Sequence, residues 1–118
     1  MEATIEVEGL PKSPNQTSGK HWGSLYAEKQ EWQDKVAWLA KSKWHYQPLK
    51  RAHIHFTICT GDKRRHDPDN LAWSVSKPSL DGLKGIVLVD DSIDNVSLSY
   101  EYQREGKRGF TIKITKMV

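Results

Sequence analysis

Apolar and polar residues alternate over residues 3–8, with Ile5 and Val7 on one face and Glu6 and Glu8 on the other, the pattern of a half-buried strand. The same period returns over residues 51–60, where Ile54, Phe56 and Ile58 point one way and His53, His55 and Thr57 the other. It returns again over 95–103 and 109–116, and Arg104-Glu-Gly-Lys-Arg108 reads as a turn that joins these two into an antiparallel hairpin. Between the strands the period becomes helical. After Ser24, a suitable N-cap, Leu25, Trp32, Val36, Leu39 and Ala40 form an apolar stripe opposite Glu28, Lys29, Glu31, Gln33, Asp34, Lys35 and Lys41, which predicts an amphipathic helix from about 24 to 42. Trp38 and Trp44 suit core or partner contacts, with core or rim packing the preferred reading.

A second helix begins after Asp67, which suits an N-cap, with Pro68 at the first helical position and Leu71, Val75, Leu80 and Leu83 as its stripe. Pro78 removes a backbone donor, so two short pieces, 68–76 and 79–84, and one continuous helix are both compatible with the pattern. Gly85-Ile-Val-Leu-Val-Asp-Asp91 is a short apolar run that ends in two carboxylates, and residues 9–23 are dominated by turn formers and read as a loop. The order β-α-β-α-β-β predicts an α+β (α/β two-layer) fold, a small mixed sheet with helices packed on it. A chain of 118 residues fits a single domain, 1–118.

Composition narrows the function classes. No run of 18 apolar residues is present, so no membrane partner is expected. The opening residues alternate apolar with acidic instead of forming a basic start and an apolar block, which leads to a cytoplasmic expectation. Cys59 is the only cysteine, which excludes an internal disulfide or a cysteine zinc cluster, and it reads as a buried thiol. His53 and His55 share a face and could hold a metal, but without a third ligand a polar sheet face is the better reading.

The net charge of +3 is small, and its distribution says more. Lys41 to His66 carries seven Lys/Arg against Asp62 alone; Asp67 to Asn95 carries six Asp against Lys77 and Lys84; Arg104, Lys107, Arg108, Lys113 and Lys116 then outnumber Glu101 and Glu105. An acidic segment between basic ones suits a site that holds a cation while its surroundings hold a polyanion. Asp67 and Asp69 at a helix start, with Asp90 and Asp91 after the apolar run, are costly to gather without a cation, because neighbouring carboxylates repel. Mg²⁺ resolves that conflict with oxygen ligands and retained waters, and Mn²⁺ is an alternative. Lys63, Arg64, Arg65 and His66 lie directly before Asp67, where Lys and Arg can hold phosphates and the helix start offers free N–H groups. Metal-binding acids beside phosphate-binding bases are the combination a nuclease needs. Lys77 is a surface lysine if the helix continues, and a cation near the acids if Pro78 breaks it.

Arg64-Arg65-His66-Asp67-Pro68-Asp69-Asn70-Leu71, then Lys77-Pro-Ser-Leu-Asp81-Gly82-Leu83, then Asp90-Asp91 resembles the RusA family of Holliday-junction resolvases. The stretch from Asp69 to Lys77 is longer than in the family pattern, with Ala72-Trp73-Ser74-Val75 readable as the extra segment, and His66 stands where Arg is common. The resemblance implies a homodimeric, Mg²⁺- or Mn²⁺-dependent endonuclease of phage or prophage type that cuts four-way DNA junctions by paired nicks in a bacterial or phage-infected cell, at the nucleoid. It carries Asp67, Asp69 and Asp91 over as catalytic carboxylates, with Asp90 as a neighbouring ligand, Lys77 as the supporting cation, and Asp81 as a matched position of structural type. Asn70 falls in the motif and joins the basic turn as a DNA contact. Residues 9–23 read either as a DNA-ordered loop, with Asn15, Lys20 and His21 in contact, or as a plain surface loop. A flap or branched-DNA nuclease on the same scaffold and a non-catalytic DNA-binding protein are the competing readings.

Overall fold

A computed structural model describes residues 2–12 and 22–118, and for 22–26 the backbone alone. Six elements follow one another: β1 (Glu2–Glu8), α1 (Trp22–Lys43), β2 (Ala52–Cys59), α2 (Pro68–Leu83), β3 (Val96–Gln103) and β4 (Gly109–Lys116). The strands form one mixed sheet in the order β1-β4-β2-β3, with β4 antiparallel to both β1 and β2 and β3 parallel to β2. Both helices pack on one face, so the fold is α+β, as the alternation of periods predicts.

The hairpin expected from 95–116 does not form. β2 lies between β3 and β4, pairing Ile54 with Leu98 on one side and with Ile114 on the other. The physical reason is burial. Ile54, Phe56, Ile58, Ile112 and Ile114 are almost fully buried, and seating β2 and β4 side by side at the centre of the sheet covers both apolar rows. β3 carries half-exposed Leu98 and Tyr102 and takes the edge, where one side of its backbone meets solvent.

The register puts Ile5, Val7, Ala52, Ile54, Phe56, Ile58, Phe110, Ile112 and Ile114 on the helix side. The other side is polar: His53, His55 and Thr57 beside Ser97, Ser99 and Glu101, with Thr111, Lys113 and Thr115 across β4. The two ring nitrogens of His53 lie 2.6 and 2.7 Å from the Ser97 and Ser99 hydroxyls, and His55 Nδ1 lies 2.6 Å from Ser99. Both histidines thus take part in a hydrogen-bonded polar sheet face. Cys59 belongs to this same face and is half-buried, which corrects its reading as a buried thiol.

α1 starts at Trp22, two residues ahead of the expected start, so Ser24 lies inside the helix instead of capping it. Val36 and Ala40 are fully buried, Trp32 packs at the core's margin against Phe110, and Trp44 is buried just beyond the helix. Trp38 is 70% exposed and belongs to neither core nor rim. α2 runs unbroken through Pro78. A single proline removes one i→i−4 hydrogen bond, while Leu71 and Val75 before it and Leu83 after it keep the same buried face. Ser74 and Ser79 donate to the carbonyls of Leu71 and Val75, at 3.0 and 2.6 Å.

The helices approach closely at Gly82. A Cβ placed there would stand 2.6 Å from the Gln33 carbonyl oxygen and 3.2 Å from the Ala37 nitrogen, both backbone atoms that cannot swing away. Gly82→Ala is therefore expected to destabilise the fold by about 1–3 kcal/mol, the usual range for overpacking. A urea midpoint equal to that of the native chain would refute the contact. Lys29 and Asp81 bridge the same helices at 3.1 Å, which gives Asp81 a structural role.

Candidate active site

The end of β2 leads into a basic turn held by one carboxylate. Asp62 accepts hydrogen bonds from the Arg64 backbone N–H (3.1 Å), Arg64 Nε (3.4 Å) and His66 Nε2 (2.9 Å), and Arg108 Nη1 stands 3.6 Å away. Arg108 also donates to the Thr60 carbonyl at 3.1 Å and so ties the β3–β4 connection to the turn. Four groups on one carboxylate curl residues 62–66 into a fixed shape, with Lys63, Arg64 and Arg65 facing solvent. The hydrogen bond from His66 is the main cause that holds the Asp62 carboxyl below its ordinary value; burial works against it, and the Arg64 N–H adds to the lowering.

That shift has a testable sign. A carboxyl with a lowered folded-state pKa contributes stability that is fully present above its unfolded value, about pH 3.9, and is lost as pH falls through the folded value. The melting temperature of the native chain is thus expected to fall more steeply below about pH 4 than that of Asp62→Asn. Parallel pH profiles would show that the carboxylate does not hold the turn.

α2 opens directly behind this turn. Asp67 is its N-cap with extended backbone (φ −85°, ψ 121°), Pro68 follows, and Asp69 lies in the first turn. The Asp67 side chain makes no capping hydrogen bond. N-cap aspartates ordinarily accept one from the N2 or N3 amide, so this carboxylate is left available to another ligand. Asp67 and Asp69 are exposed and Asn70 is half-buried. Tyr102, on β3, donates to the Pro68 carbonyl at 3.2 Å. Burial raises the Tyr102 pKa first, followed by the neighbouring Tyr100 and then by the negative charge of Asp69, so the edge strand reaches the acids. One end of the molecule thus gathers Lys63, Arg64, Arg65, His66, Asp67, Asp69, Asn70 and Tyr102.

Asp90 and Asp91 are elsewhere. Past α2 the chain turns at Gly85 (φ +86°), and the buried Val87 and Leu88 close the bottom of the core. The Leu49 N–H donates to the Val87 carbonyl (2.7 Å) and the Val89 N–H to the Leu49 carbonyl (3.0 Å), which fixes this segment beside the start of β2. Lys84 Nζ lies 3.4 Å from Asp90 and 3.8 Å from Asp91. The Asp91 backbone N–H, followed by Lys84, lowers the Asp90 pKa. Fifteen residues of helix, at about 1.5 Å each, and the length of β2 at about 3.3 Å per residue both put these acids roughly 20 Å from Asp69 within one chain. The structure therefore groups Asp67 with Asp69, and Asp90 with Asp91, at opposite ends of the sheet. Among the described residues no group of three or more His, Cys, Asp or Glu is placed to hold a metal ion.

Lys77 lies on the unbroken helix about 12 Å beyond Asp69 and pairs with Asp81 at 3.6 Å. Asn15, Lys20 and His21 fall outside the described residues. Three features escape the sequence pattern: Asp62 as the clasp of the turn, Tyr102 beside the acids, and Lys84 as the cation at Asp90 and Asp91. No spacing rule marks them, because each meets its partners through the sheet or a turn. Among the described residues no helix is long and apolar enough to cross a membrane. No family model matches the chain and no curated protein matches it.

Proposed function

We propose that this chain is a Mg²⁺-dependent (or Mn²⁺-dependent) DNA endonuclease that acts as a homodimer and resolves four-way junctions by paired symmetric nicks, in the cytoplasm at the nucleoid. The observation that carries the reading is the placement of Asp67 and Asp69, with the uncapped carboxylate of Asp67, immediately behind the clasped turn of Lys63, Arg64, Arg65 and His66. The motif resemblance supports the substrate. The turn positions phosphates by charge and by the bidentate geometry of arginine. The helix N-terminus adds backbone N–H groups that favour the same anion.

Asp67 and Asp69 supply the one or two carboxylates that Mg²⁺ commonly takes from a protein, which fits half of the expected set. Asp91 completes it from a second copy. β3 is an edge strand, and an edge is a template for pairing. If two copies join antiparallel along β3 about a two-fold axis, the start of one β3 lies beside the end of the other. Asp90, Asp91 and Lys84 of one copy then approach Asp67, Asp69 and Tyr102 of its mate, and two equivalent sites arise, as paired cuts require. A cation held there by Asp67 and Asp69 would supply Lewis-acid chemistry toward a phosphoryl oxygen and a bound water. Lys84 is then the side chain best placed to steady charge on the scissile phosphate, ahead of Lys77.

The test is cleavage of a labelled four-way junction with and without Mg²⁺, mapped at nucleotide resolution beside a linear duplex and a flap. Metal-dependent, symmetric nicks on the junction are expected. A single nick confined to the flap would move the reading to a trimming nuclease, and metal-independent binding without cutting would move it to a binding protein.

A further inference from the structure

At the end of the sheet away from Asp67 and Asp69, the segment after α1 and the end of β4 enclose an open cleft of about 820 Å³. Its floor is Leu49, 7% exposed, and its walls include Tyr46, Lys50, Arg51, Lys116 and Met117. Among the described residues no Asp or Glu side chain lines it, and neither Lys50 nor Lys116 has an ion-pair partner among the described residues. Arg51 gives one N–H to a Val118 oxygen at 2.9 Å, which holds the guanidinium at the rim with its other donors unspent among the described residues.

Tyr46 is the second element. Its ring stands edge-on to Trp44, with centroids 5.2 Å apart and planes at 73°. Trp44 is itself buried and anchored through Nε1 to the Gln47 carbonyl at 3.3 Å. A tyrosine held in place on a buried tryptophan, yet 59% exposed, is a ring face kept ready for a partner. Three cations and a fixed, accessible ring match a chain that alternates phosphates with flat bases: cationic grooves track the backbone and aromatic rings stack the bases of single strands.

The cleft also adjoins the second acidic pair. Leu49 forms its floor and is hydrogen-bonded to Val87 and Val89, directly before Asp90. We infer that this cleft is a second nucleic-acid subsite that takes an unpaired strand, with phosphates on Lys50, Arg51 and Lys116 and a base on Tyr46. The identity of its ligand as the strand leaving a branch point rests on the nuclease reading above.

The experiment is fluorescence anisotropy of the full chain with a labelled oligothymidylate and with a labelled four-way junction, both in EDTA so that no strand is cut, together with the junction cleavage assay in Mg²⁺. Tyr46→Ala is expected to weaken oligothymidylate binding about tenfold, within the range for one stacked base. The Lys50→Ala/Lys116→Ala double variant is expected to flatten the salt dependence by about 1.4, two phosphates at ~0.7 each. All three side chains are exposed; the lysine variant should melt with the native chain and Tyr46→Ala a few degrees lower for its lost packing on Trp44, so binding measured well below both midpoints separates lost binding from lost folding. Unchanged binding of oligothymidylate by both variants would overturn the subsite and leave the nuclease reading standing. Loss with the lysine variant alone would replace the strand by a generic polyanion and so overturn the assignment. A native chain that binds oligothymidylate through Tyr46 but cuts no branched DNA would support the subsite while the nuclease reading fails.

Discussion

Asp69→Asn is expected to bind a four-way junction at least as tightly as the native chain and to cut it slower by a factor on the order of 10³, the scale seen when one group that stabilises the transition state is removed. The change is nearly isosteric, and Asp69 is exposed in the first turn of α2. Its loss there costs the fold only the modest dipole term of an acidic residue near a helix start, about 0.3–1 kcal/mol, so a large fall in rate would not be a fall in folded protein. Binding should not suffer, because the lost group is an anion facing phosphates. An amide oxygen can still touch a divalent cation, but it brings no charge to offset the metal's own. Melting curves, junction affinity in Ca²⁺ or EDTA, and single-turnover cleavage in Mg²⁺ form the complete measurement. Cleavage by Asp69→Asn at the native rate would remove the acids from the mechanism.

The second large effect comes from mixing. Asp69→Asn and Asp91→Asn are each expected to be inactive alone, and equal amounts, co-refolded or co-expressed, are expected to nick junctions again at about a quarter of the native level per site, as random two-fold assembly requires. The roughly 20 Å of α2 that separate Asp69 from the end where Asp91 lies are too far for a shared metal ligand shell. If each site takes Asp67 and Asp69 from one copy and Asp91 from the other, the mixed dimer contains one doubly altered site and one intact site. Half of the dimers are mixed and each has one working site of two. The products should be single nicks instead of paired ones, which distinguishes restored composite sites from contaminating native enzyme. If every site is built within one chain, each site in the mixture keeps a defect and no activity returns.

Much of the fold is legible from periodicity alone. The alternation of Ile54, Phe56 and Ile58 and the stripe of Leu71, Val75 and Leu83 locate β2 and α2 because each local pattern agrees with the side it finally buries. The pairing of the strands is not local. An antiparallel hairpin through Arg104–Arg108 satisfies the sequence as well as the observed crossover does; the difference lies in how β2 and β4 cover each other's apolar rows. Pro78 is similar, since its cost is set by one residue but whether α2 survives depends on what Leu71, Val75 and Leu83 gain together.

The candidate site divides in the same manner. Asp67, Asp69 and the basic turn are close in sequence and remain close in space. Asp91 stands near them only in a motif, because a parallel β2–β3 pair carries the segment before β3 to the far end of the sheet. Lys84 and Tyr102 were invisible for the complementary reason: each is near its acids through tertiary structure, without any spacing to announce it.

The strand order also bears on how the chain acquires its shape. β1 has β4 as its strand neighbour, with Glu2 paired to Thr115 and Val7 to Phe110, so once synthesised it has no described strand to pair with until residues 109–116 follow. Synthesis must reach residue 116 before the centre of the sheet, where β4 lies between β1 and β2, can close. Folding should therefore be late and concerted, with the slow rates typical of distant pairings. Glu2, Glu6 and Glu8 place charge along β1, the kind of residue that disfavours wrong pairing of an open edge in the interval.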